Sequence, residues 1–131
     1  MLKKIALLLA IIMAVAFFPR SANRVEVEDK ITAREWKVAD SKAYAQDVVL
    51  AWADNQYLCL DKLWTKESNW RPEAYNKIKV MGKNAGGIPQ LLGMSTQTPA
   101  PQQIDRGFKY IIHRYGTPCT AWKFWQKKGW Y

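Results

Sequence analysis

Histidine and cysteine are scarce in this chain: one His (His113) and two Cys (Cys59, Cys119) among 131 residues. A zinc site made from His and Cys alone would need all three plus a carboxylate, and a Ser-His-Asp triad would have to use His113. Metal and triad chemistry are therefore not expected, and no cofactor is implied. Internal repeats and low-complexity tracts are lacking as well. The one long apolar run, Ile5 to Phe18, reaches only about 21 Å at about 1.5 Å per residue, short of a hydrocarbon core of about 30 Å. Carboxylates are few where it matters, since beyond Tyr57 only Asp61, Glu67, Glu73 and Asp105 exist. What the chain does have is 49% hydrophobic residues, with seven Trp, six Tyr and four Phe, enough to fill one small core.

Lys3 and Lys4 ahead of the apolar run, and Pro19-Arg20 after it, give residues 1–22 the form of a signal peptide. Ala14-Val15-Ala16 supplies the small-x-small pattern of a cleavage site, whereas Arg20-Ser21-Ala22 carries an ill-suited arginine. Cleavage is expected; the alternative is a signal anchor that holds residues 5–18 in a membrane. Either way the domain is expected to be secreted or in the cell envelope. Residues 23–39 are charged without a sustained apolar face and read as a linker, leaving 40–131 as the globular domain. In an oxidising compartment two cysteines most simply form one bridge, Cys59 to Cys119. Two buried free thiols, or a Cys/His peptidase using His113, are the alternatives.

Charge is uneven. From Arg20 to Gln56 six basic residues meet seven acidic ones, whereas from Tyr57 onward there are twelve basic and four acidic, a net of +8. A basic exported domain suits anionic wall polymers or anionic lipid surfaces. Nucleic acid is not expected as a partner, and a monomer is the default.

The periodicity predicts mostly helix. Tyr44, Val48, Ala51 and Trp52 mark a first helix capped by Asp40 or Ser41 and running to about Gln56. Tyr57, Leu60, Leu63 and Trp64 mark a second, ending near Glu67-Ser68 because Pro72 follows. The turn-rich stretch from Tyr75 to Pro101 allows at most a short hairpin. Phe108, Ile111, Ile112 and Tyr115 mark a helix from Pro101 or Gln102 to the stop at Gly116, and Pro118 opens a last one, with Cys119, Trp122 and Trp125 facing inward and Gly129 at its close. Among the four carboxylates Glu67 is the best acid catalyst by position, at a helix end beside aromatics that could desolvate it and raise its pKa. An ordinary glycosidase wants two carboxylates at a defined separation, and no second one is paired with Glu67 in this sequence.

Residues Leu60 to Asn76, with Glu67-Ser68 at the helix end followed by Asn69-Trp70-Arg71-Pro72-Glu73-Ala74-Tyr75-Asn76, resemble the first motif of the soluble lytic transglycosylase (SLT) family of the lysozyme-like superfamily. Gly87-Ile88-Pro89-Gln90 resembles its second motif, Gly-x-x-Gln, and Arg106 to Ile112, Arg114 to Trp122 and the final Gly129-Trp130-Tyr131 are similar to short secreted and phage-borne members. The resemblance implies a mainly α, α+β lysozyme-like fold, a small helical domain with a short irregular or hairpin segment in its middle. It implies cleavage of the N-acetylmuramic acid to N-acetylglucosamine bond of peptidoglycan glycan strands, with one glutamic acid as acid and then base. The sugar's own 6-hydroxyl is the nucleophile, so effective molarity replaces a held water and a second carboxylate. By resemblance Glu67 is the acid/base, Ser68 orients substrate or carboxyl, and Gln90 lines the groove; Asn76, at the end of the first motif, and Trp122 are further candidate contacts. The chain departs from the family where many members carry Tyr-Asn on the last helices and it has Ala121-Trp122. A hydrolytic muramidase of the same fold and a non-catalytic wall-binding module are the alternative readings. A cationic membrane-active protein finds only a partial match in Trp122, Trp125, Lys127 and Lys128.

Overall fold

The computed structural model describes residues 36–52 and 55–131; the expected signal segment 1–22 and most of the expected linker lie outside the described residues. The described part is mainly α with a small sheet, as expected: α1 (Val38–Val49), α2 (Gln56–Ser68), β1 (Tyr75–Val80), β2 (Lys83–Gly86), β3 (Leu91–Leu92), α3 (Ala100–Tyr115) and α4 (Pro118–Lys128).

Each helix follows from its apolar spacing. In α3, Ala100, Gln103, Ile104, Gly107, Phe108 and Ile111 recur at three- and four-residue intervals and form the buried stripe. It ends at Gly116, whose φ of 78° lies where an L side chain is strained. In α2 the buried positions are Leu60, Leu63, Trp64 and Ser68, and Asn69 caps the helix in the left-handed conformation at φ 53°. Thr117 accepts from the Thr120 N–H to start α4, with Pro118 as its first residue.

Both ends of the first helix differ from expectation. The first helix starts at Val38, because Asp40 acts from its third position by accepting the Lys37 N–H at 3.1 Å rather than capping from outside. Trp36 also belongs to the domain, packing edge-on against Tyr44, so the domain reaches into the expected linker. The same helix stops at Val49, short of Gln56. Trp52 N–H turns back onto Val49 O at 2.9 Å, which frees the Trp52 ring to meet Phe108 edge-on at 5.3 Å.

The middle segment exceeds a hairpin by one short strand. The three strands pair antiparallel in the order β1-β2-β3, with Val80 opposite Lys83, Tyr75 opposite Gly86 and Ala85 opposite Leu92. The core lies among the helices, on Leu60, Leu63, Trp64, Trp70, Ile88, Ile104, Phe108 and Ile111. A disulfide joins Cys59 in α2 to Cys119 in α4, with Cα atoms 4.9 Å apart. Among the described residues no helix is long and apolar enough to cross a membrane.

Candidate active site

Glu67 stands four residues after Leu63 and three after Trp64, so helical geometry carries it onto the edge of the buried stripe of α2. It is half-buried there. The indole N–H of Trp125, from α4, donates to its Oε1 at 2.7 Å. The disulfide that ties α4 to α2 thus also holds the two helices that carry this pair. Burial pushes the Glu67 carboxyl up from 4.5 to about 7, and the Trp125 hydrogen bond pulls in the opposite direction without cancelling it. Because Oε1 accepts from Trp125, a proton on this carboxyl is best placed on Oε2.

The other three carboxylates beyond Tyr57 are differently placed. Asp61 pairs with Lys42 Nζ at 2.8 Å and accepts from Trp70 Nε1 at 2.9 Å. Asp105 accepts from the Tyr44 hydroxyl at 3.0 Å, and Glu73 is exposed. The acid strength of Glu67 is displaced toward neutrality.

Behind Glu67 the 87–90 turn is fixed from three sides. Ser68, expected to orient substrate or carboxyl, is only 4% exposed, and its hydroxyl lies 2.7 Å from Ile88 O and 3.3 Å from Trp64 O. Four residues past Trp64, it falls on the centre of the buried stripe, where it bolts the turn to the helix. Gln103, from α3, takes the Ile88 N–H on Oε1 at 2.8 Å and donates through Nε2 to Pro72 O and Thr98 O. Tyr131 donates to Pro89 O at 2.7 Å while accepting the Trp64 N–H at 2.9 Å. Two glycines at this turn have no room for a side chain. A Cβ on Gly87 would sit 2.3 Å from Gln103 Oε1, and one on Gly107 2.6 Å from Pro89 Cβ.

Gln90, expected to line the groove, is half-buried at φ 50°, and its amide nitrogen donates to Ala74 O and Gly87 O. Its side chain shapes the turn. Asn76 lies on the exposed β1, with Oδ1 accepting from Ile78 N–H and its carbonyl accepting from Asn84; these bonds stay within the hairpin. Trp122 is brought to the site, stacked on Trp125 with centroids 5.3 Å apart and planes 13° from parallel. Glu67, Trp125 and Trp122 therefore form one continuous run.

Three contributors escaped the sequence reading. Gln103 had a signal, a polar residue inside the apolar stripe of α3, which marks a buried hydrogen-bonding amide. Tyr115 was read only as part of its helix's apolar face, and Tyr131 only as part of the terminal Gly129-Trp130-Tyr131. Burial raises the Tyr131 phenol well above its ordinary range, and burial raises that of Tyr115 to about 12; both also feel the Glu67 charge. No group of three His, Cys, Asp or Glu that could hold a metal occurs among the described residues. No protein-family model, no curated protein and no solved structure matches this chain.

Proposed function

We propose that this chain is an exported peptidoglycan lytic transglycosylase of the SLT kind, acting on glycan strands with Glu67 as its only acid and base. The observation that carries the reading is the state of Glu67: a half-buried carboxyl held by Trp125, with its pKa raised to about 7, while Asp61 and Asp105 are engaged in bonds of their own. A carboxyl of that acidity is protonated about half the time near neutrality, and is both a competent donor and, once ionised, a competent acceptor.

In the proposed reaction the Glu67 proton passes to the glycosidic oxygen as the bond from the muramic acid anomeric carbon breaks. The same sugar's 6-hydroxyl oxygen then bonds to that carbon and its proton returns to Glu67. Atoms balance without water, and one carboxylate serves both halves. The Trp122-Trp125 stack offers an apolar face of the kind that sugar rings use. Extracytoplasmic placement draws support from the Cys59–Cys119 bridge.

The test is mass spectrometry of fragments released from purified peptidoglycan, with Glu67→Gln alongside. Muropeptides ending in an anhydro sugar, lighter by one water and missing with the variant, are expected. Reducing ends would make the protein a hydrolase, and wall binding with no fragments would make it a binding module. Wild-type turnover by Glu67→Gln would remove Glu67 from the chemistry.

A further inference from the structure

The hairpin of β1 and β2 is poorly explained by folding. All six residues of β1 are exposed. Ile78 is 72% exposed, Val80 51%, and Met81, at the tip, 90%. Val80 pairs across from Lys83, and Ala85, two residues on, pairs with Leu92, while Ile78, two residues before Val80, lies where the register shifts between Tyr75 and Lys79. Leu92, 43% exposed, thus shares the face of Val80. The connection is a two-residue turn in which Met81 (φ 52°) and Gly82 (φ 75°) both take positive φ. Such turns favour Asn or Asp at the first position. A methionine there costs the fold conformational strain and leaves its thioether chain in water.

Charge gives the complement. Lys77, Lys79 and Lys83 decorate the hairpin, and no Asp or Glu occurs between Glu73 and Asp105. Aliphatic side chains ringed by lysines fit a phase with an apolar interior beneath an anionic surface. A wall polymer or glycan would meet the lysines and leave Ile78, Val80 and Met81 in water. An anionic bilayer meets both, taking the aliphatic tip among the acyl chains and the ammonium groups at the phosphates.

We propose that the β1–β2 hairpin is a membrane wedge that seats this domain on anionic phospholipid. Its base runs into the 87–90 turn, which Gly87 N–H bonds to Ala74 O and Ser68 bonds to α2. A six-residue strand spans about 20 Å, so with its tip among the acyl chains a seated hairpin holds the 87–90 turn at its base less than that far from the headgroups. The inference does not rest on turnover and applies equally to Glu67→Gln.

The experiment uses the full chain with Met81→Cys carrying a polarity-sensitive fluorophore, the Cys59–Cys119 bridge left oxidised, and Gln126→Cys, at an exposed position of α4, as the control site. Residues 1–35 are common to both. With vesicles containing phosphatidylglycerol, emission from position 81 is expected to shift to the blue and to be quenched by lipid-borne quenchers. Position 126 should not change, and pure phosphatidylcholine vesicles should leave both unaltered. Replacing Lys77, Lys79 and Lys83 by Gln should weaken the position-81 response about fivefold per lysine, the equivalent of about 1 kcal/mol each. Ile78→Ser with Val80→Ser should abolish it, with circular dichroism confirming the helices. No shift at position 81 on anionic vesicles, or the same shift with soluble poly(glycerol phosphate), would overturn the proposal.

Discussion

Replacing Glu67 by glutamine should stabilise the fold at alkaline pH and leave it unchanged in acid. The folded carboxyl sits at about 7 against 4.5 for the free group, so between these values the native state binds the proton that the unfolded chain has released. Stability from this group is therefore intact below about pH 4.5, falls as pH rises toward 7, and stays low above it. The gap corresponds to about 3 kcal/mol at about 1.4 kcal/mol per pH unit, an upper figure because the site is only half-buried. Glutamine keeps the shape and an oxygen for Trp125 Nε1 while removing the charge that burial disfavours. Urea denaturation of both proteins at pH 4 and pH 8 is the assay, with equal midpoints expected at pH 4 and the variant ahead at pH 8. For a domain of this size the thermal midpoint would rise by on the order of 10 °C at pH 8. An equal difference at both pH values would refute the idea that Glu67 is held in a desolvating environment.

Three other perturbations probe the same neighbourhood. Trp125→Phe removes the hydrogen bond that lowers the Glu67 pKa, so the alkaline limb of the activity profile should move up in pH; an unmoved or lowered limb would contradict the assigned bond. Tyr131→Phe deprives Trp64 Nε1 of its acceptor and Pro89 O of its donor, and should cost about 1–3 kcal/mol in chemical denaturation. Cys59→Ala with Cys119→Ala opens a crosslink between residues 60 apart in sequence, which chain entropy values at about 4 kcal/mol; matching melting curves for oxidised wild type and the variant would count against that figure.

The helices were largely legible in the sequence because their burial is periodic. Leu60, Leu63 and Trp64 announce α2, and Phe108 and Ile111 announce α3, at the spacing that one helix face imposes. The third strand was not legible: Leu91-Leu92 is two residues long and pairs only through Ala85 and Gly86, too short for any alternation to register. At the site, Glu67 was readable from its place near a helix end beside aromatics. The bonds of Ser68 to the 87–90 turn were not legible, because adjacency in sequence does not say which neighbour turns outward. On a helix, successive residues diverge by about 100°, so Glu67 reaches the edge of the buried stripe while Ser68 lies under it. The hold of Gln103 on Ile88 joins residues 15 apart, and no local pattern encodes that distance.

Glu67 stands in a place where a folding sequence alone would not put an acid. The last turn of a helix carries the negative end of its dipole, where cations stabilise and carboxylates do not, and α2 has Lys66 in that turn as the ordinary choice. Burial against the Trp64 side of the helix disfavours the carboxylate again, and one indole N–H is the bond that counters it. Dipole and burial both favour the neutral acid, and both act through backbone and packing that a substrate need not disturb. Charge at the helix end and burial are separable in their response to salt. Lys66→Glu, on the exposed side of the same turn, adds negative charge without altering the packing around Glu67. It should raise the Glu67 pKa further in low salt and lose that increment as ionic strength rises, while the part due to burial persists. NMR titration of the Glu67 carboxyl carbon follows that pKa; a value unmoved by Lys66→Glu at low salt would mean that charge placed at this helix end does not reach Glu67.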